Sequence, residues 1–249
     1  MTSVLLAGGT LMAPDVRGAH EVLSVGGTIA AHRPPGDRAA GSVLPDLHEE
    51  DVSGLTVLPG LIDGHLHVLG GGGGQGLHSR IPELPADAVL EAGITTCVGM
   101  PGVDTVSRPP AALLAKTRSF SALGVRAFAM AGGFRWPAPT ITDSLFEDLY
   151  QIPDLIGLKL AIDERLATVP TPDELARLLT ELFWLRGATG KACLLHAHLG
   201  TRIPASGLLA AALDLSGAPP TWSRSRTPTI PRTPCARPPG SAAAASSST

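Results

Sequence analysis

Apolar residues along this chain follow two patterns, and the change comes near residue 55. Before it, short runs alternate with glycine pairs: Val4-Leu5-Leu6 meets Gly8-Gly9, and Val22-Leu23-Ser24-Val25 meets Gly26-Gly27 before Thr28-Ile29-Ala30. Runs of that length between glycine pairs predict hairpins, so residues 1–55 read as a small β-rich domain. After it, apolar strands are predicted at Leu61–Val68, Ile94–Met100, Val125–Ala131, Leu155–Ile162 and Ala192–Leu199. Their centres recur about every 31–37 residues, one strand–helix unit each. They are apolar nearly throughout, as in a parallel sheet covered on both faces.

The clearest helix is Pro172–Arg186. Thr171 is placed to cap it, Pro172 sits at the first helical position and Glu174 completes a capping box. Leu175, Leu178, Leu179, Leu182 and Leu185 form one stripe, and Gly187 is the expected stop. Pro109–Ala122, followed by Gly124, is a second helix. Residues 56–216 therefore hold five units, whereas a closed eight-unit barrel takes about 250 residues. Two architectures fit: an open doubly wound α/β sheet, or an incomplete (β/α)8 barrel.

The pattern stops near Gly217. From there to Thr249 the chain has seven prolines, four arginines and no Asp or Glu, and Ile230 is its only aliphatic residue larger than alanine. Residues 217–249 are expected to be a disordered tail. Sixteen arginines against three lysines, with abundant Ala, Gly and Pro, point to GC-rich coding. Misread GC-rich coding yields such text, so a frameshift near Gly217 is expected. Without the four tail arginines, 15 basic residues face 22 acidic ones, and the body is clearly acidic. No apolar stretch reaches the roughly 18–20 residues of a membrane span, and no positive charge precedes Arg17. Cys97, Cys193 and Cys235 form neither a disulfide framework nor a zinc-finger spacing. The reading is a cytoplasmic protein with no nucleic-acid or membrane partner.

Candidate chemistry gathers at strand ends. In His65-Leu66-His67 the two imidazoles project from one face and suit a transition metal such as Zn²⁺, with Asp63 on the same face to orient a ligand. His196-Ala197-His198 repeats the geometry at the fifth strand. Lys159 is the only charge in its strand. Buried there, it must be paired, neutralised or able to reach solvent; a neutral lysine can also take up CO₂ as a carbamate, whose two oxygens can bridge two metals. Gly70–Gly74 is either a flexible loop or a set of backbone N–H groups brought close to a substrate. No dinucleotide-binding, P-loop or G-x-S-x-G signature is present.

Thr56-Val-Leu-Pro-Gly-Leu-Ile-Asp-Gly-His-Leu-His67 resembles the opening strand of the amidohydrolase superfamily. The glycine run, EAGITTCVGMPGVDTVSR, LLAKTR, TITDS and IGLKLAI are similar to metallo-type isoaspartyl (β-aspartyl) dipeptidases, over most of residues 1–216. The resemblance implies a small N-terminal β-sandwich and a TIM-type barrel, here incomplete with about five units. It also implies two zinc ions bridged by a carbamylated lysine, which activate water to cleave a small β-aspartyl peptide. His65 and His67 would hold the first zinc, Lys159 would be the bridge and His198 would hold the second zinc. Gly72, Gln75 and Arg165 would touch substrate. His196 has no clear counterpart in the family. A homo-oligomer is possible in a complete form.

Three departures follow from the same alignment. The family's glutamate for the substrate α-amino group falls on Gly74, its tyrosine near the end of the third strand is Phe134, and its later histidine and aspartate base have no counterpart. This chain is therefore expected to be inactive as written. A cyclic-amide hydrolase of the dihydroorotase or hydantoinase kind, and a non-catalytic remnant, are the alternatives.

Overall fold

The computed structural model describes residues 3–36, 44, 46–162, 167–200 and 205–217. Residues 218–249, nearly all of the expected tail, and Arg165 lie outside the described residues. The N-terminal part is a five-stranded sheet of β1 (Ser3–Met12), β2 (Val16–Val25), β3 (Thr28–Arg33), β4 (Leu47–Asp51) and β5 (Thr56–Val57). Its order is β3-β2-β1-β4, with β5 also on β1. The β2–β3 turn falls at Gly26-Gly27 as predicted, with φ of 58° and 80°. Gly8-Gly9 does not make the expected turn. It lies inside β1, where the register against β2 shifts between Leu6 and Gly9. A Cβ on Gly9 would meet Val57 at 2.9 Å, so the pair lets strands pack closely instead of reversing the chain. Because β5 still belongs to this sheet, the sheet extends two residues past the expected boundary at 55.

The second sheet contains β6 (Leu61–Leu66), β7 (Ile94–Gly99), β8 (Arg126–Gly133), β9 (Leu155–Ile162) and β10 (Leu194–Leu199). All four pairings are parallel and run in strict chain order. A doubly wound sheet reverses its strand order part-way, and this one does not. It curls as five successive units of a β/α barrel. Helices α1 (Ala86–Glu91), α2 (Pro110–Ala122), α3 (Leu145–Gln151), α4 (Pro172–Thr189) and α5 (Ala205–Ser216) complete the units.

The core lies between the central strands and the helices. In β9 every residue but Ile156 is buried, and the predicted α4 stripe is buried at all five leucines. The capping box at Thr171 and Glu174 forms as expected. The helix does not stop at Gly187. It continues to Thr189 and ends on Gly190 in the left-handed region, φ 70°, because a helix interior tolerates one glycine whereas the cap requires positive φ. The strands are not uniformly covered either. Leu61 and Ile62 on β6 and Leu194 and Leu199 on β10 are exposed, since these are the edge strands of the described sheet. No helix among the described residues is long and apolar enough to cross a membrane.

Candidate metal centre

Strand alternation sends His65 from β6, Lys159 from β9, and His196 and His198 from β10 to the concave side of the curled sheet. His196 is directly opposite Lys159 in register, and His198 opposite Ala161. With strands about 4.8 Å apart, the first and fifth strands of a flat sheet would lie about 19 Å apart. Yet His65 Nδ1 is 3.1 Å from His196 Nε2, and the rings are 4.8 Å apart between centroids. The curl therefore folds residues 131 positions apart into contact. His67, just beyond β6, stands edge-on to His65 at 5.2 Å.

His67 is oriented from behind. Its Nδ1 lies 3.1 Å from the Met100 carbonyl, which can only accept, so the proton sits on Nδ1 and Nε2 keeps its lone pair. Asp63 does not orient an imidazole: its carboxylate accepts the His65 backbone N–H at 2.9 Å. The His198 ring is 5.5 Å from that of Phe134. The same Phe134 ring is 5.7 Å from Lys159 Nζ. The described geometry thus gathers His65, His67 and His196 beside Lys159, with His198 on the Phe134 side. Sequence reasoning set His196 aside for want of a family counterpart, although its H-x-H spacing had already placed it on the correct face.

Lys159 is fully buried, and its Nζ has no hydrogen-bond partner. Burial lowers its pKa to about 8. Desolvation, then the Lys159 charge, then His196 and His67 bring His65 down to about 4, with Asp63 opposing. His67 and His196 are lowered too, desolvation first in each case. These shifts favour the neutral form of His65, His67 and His196, the form that binds metal. Cys97 is buried, and desolvation followed by Asp63 raises its pKa, which removes it as a nucleophile.

The glycine loop is folded rather than slack. Gly72 has φ 74°, and a Cβ there would lie 2.1 Å from the Ser79 carbonyl oxygen. The Gly73 N–H donates to Ser79 Oγ at 3.1 Å, so part of the loop's N–H set serves the loop itself. Arg108 clamps it, donating to the carbonyls of Gly71 at 3.1 Å and Ile81 at 2.8 Å. Gln75 is exposed at the rim.

No family model matches the chain. Among solved structures it is similar to the beta-aspartyl dipeptidase of the thermophilic, keratin-degrading Fervidobacterium islandicum AW-1. The identity is 29% and the TM-score 0.81, over 89% of this chain and 60% of that one. The solved structures it is similar to include members of the amidohydrolase superfamily. A beta-aspartyl dipeptidase of the same organism, in complex with the beta-Asp-Leu dipeptide, is 28% identical with a TM-score of 0.77, over 84% of this chain and 55% of that one. A dihydropyrimidinase from Brevibacillus agri NCHU1002 shares the fold at 17% identity and a TM-score of 0.53, over 79% of this chain and 40% of that one. The chain thus spans about three-fifths of the length of the dipeptidase it matches.

The donor types gathered in this barrel, imidazoles beside a buried lysine, are ones a transition metal takes. His67 is oriented by a backbone carbonyl, and the buried Lys159 nitrogen has no hydrogen-bond partner. Among the described residues no three His, Cys, Asp or Glu side chains already converge on one point. His65 and His196 touch each other through Nδ1 and Nε2.

Proposed function

We propose that this barrel is a zinc-dependent amidohydrolase for small β-aspartyl (isoaspartyl) dipeptides. The observation that supports it is the contact between His65 and His196 across the curl, beside a buried Lys159 without a partner, on a fold shared with a beta-aspartyl dipeptidase. His65 and His67 would hold one ion, His198 with its neighbour His196 the other, and Lys159 would join them after taking up CO₂ as a carbamate. A bound metal pair supplies an activated water and polarises an amide carbonyl.

The remaining work falls to side chains of this chain. The loop carrying Gly72 and Gln75, clamped by Arg108, forms the rim beside His67, and Arg165 is the proposed cation for a substrate carboxylate. Phe134 lies beside Lys159 and the exposed His198 but has no hydroxyl to donate to a carbonyl. Gly74 offers no carboxylate to a substrate ammonium. These two positions favour a second reading, hydrolysis of a cyclic amide that lacks a free α-amine.

The test is metal analysis of the purified chain combined with turnover of β-Asp-Leu, dihydroorotate and hydantoin by a form extended to the full length of the dipeptidase it matches. Zinc with β-Asp-Leu cleavage supports the first reading. Zinc with cyclic-amide cleavage supports the second. Little zinc and no turnover would leave a non-catalytic remnant and reject both.

A further inference from the structure

We propose that His20 and His32 form a separate site for a divalent transition-metal ion on the N-terminal sheet. β2 and β3 are antiparallel, and the register pairs Val22 with His32 and Glu21 with Arg33. His20, two residues before Val22, therefore shares a face with His32 and lies diagonally across from it. Their ring centroids are 5.8 Å apart, with planes at 42°. Two imidazoles on one ion, each with a metal–nitrogen bond of about 2.0–2.1 Å, place their ring centres about 5–6 Å apart.

Two further features fit. His20 Nδ1 lies 3.3 Å from the Gly18 carbonyl, and donation there leaves Nε2 free to bind. The nearby guanidinium of Arg33 is turned to the other face by strand alternation and pairs there with Glu21 at 3.6 Å, so it does not confront an incoming cation. His20 is half-buried and His32 exposed, so an ion has access and water can fill its other positions. An imidazole pair ranks divalent ions with Cu²⁺ above Ni²⁺ and Zn²⁺. The ion would clip β3, an edge strand, onto β2.

The barrel histidines would also take up metal, so the experiment must resolve residues. The full chain is titrated with CuCl₂, and carbethoxylation of each histidine is followed by peptide mass spectrometry. His20 and His32 should become protected together over one concentration range, while His48 stays reactive. In His32→Gln, half-protection of His20 should need at least tenfold more Cu²⁺, and His20→Gln should do the same to His32. Circular dichroism checks that both variants keep their sheet. Protection of each histidine independent of the other, or no protection of either, would overturn the site.

Discussion

At the scale of single residues, Lys159 and Gly74 separate the readings of the barrel. A buried nitrogen with no partner is costly unless it is neutral or modified, and Lys159 is in that position. In a length-restored protein, Lys159→Ala should lower both bound zinc and hydrolysis, with partial rescue by short carboxylic acids that replace the carbamate oxygens. Unchanged zinc content by elemental analysis would sink its role as bridge. Gly74 makes the second prediction. A charge-assisted hydrogen bond from a substrate ammonium to a carboxylate contributes about 1.5–3 kcal/mol, and this position provides none. In a length-restored protein, free and N-acylated β-aspartyl dipeptides should then show kcat/KM values within a few-fold of each other. A hundredfold preference for the free amine would mean that another acid has taken over.

At the scale of elements, α4 shows how local signals and burial cooperate. Thr171 accepts from the Glu174 backbone N–H while the Glu174 carboxylate accepts from the Thr171 backbone N–H, so two otherwise orphaned donors are satisfied. Thr171→Ala should destabilise the protein by about 1 kcal/mol, measured as a lower urea midpoint at constant slope. No loss would mean that the cap adds nothing beyond the buried leucine stripe. The same helix marks a limit of local reading. The sequence pointed to Gly187 as the stop, whereas the helix ends at Gly190, where the chain takes positive φ before Lys191 reaches the Leu149 and Ile152 carbonyls.

At the scale of the whole molecule, gathering basic groups around the buried Lys159 makes stability depend on pH. The folded pKa of His65, about 4, lies below its ordinary value of 6.5. Between those values the unfolded chain binds more protons, so stability is fully present above about pH 6.5 and is lost as pH falls towards 4. Lys159, lowered from 10.5 to about 8, has the same sign at higher pH: stability rises from about pH 8 towards 10.5. Urea midpoints of the metal-free chain should fall between pH 6.5 and 4, and His65→Gln should flatten part of that fall. A midpoint that does not change over this range would contradict the desolvated cluster.

The sequence alone determined the five apolar strands, the capped helix with its leucine stripe, and both H-x-H pairs with Lys159 at strand ends. These are local properties: periodicity, capping chemistry and the alternation of side chains are set within a few residues of each position. It left open whether the sheet was doubly wound or barrel-like, because a strand of either kind is equally apolar. Strand order and curl decided that, and with them the contact of His65 with His196, which depends on the sum of twists across four strand pairings. The glycine loop was ambiguous for the same reason. Only its closure against Ser79 and its clamping by Arg108 show that the glycines permit close backbone approach rather than slack. What one segment dictates can be read along the chain, whereas what several segments meet to form exists only once they have packed.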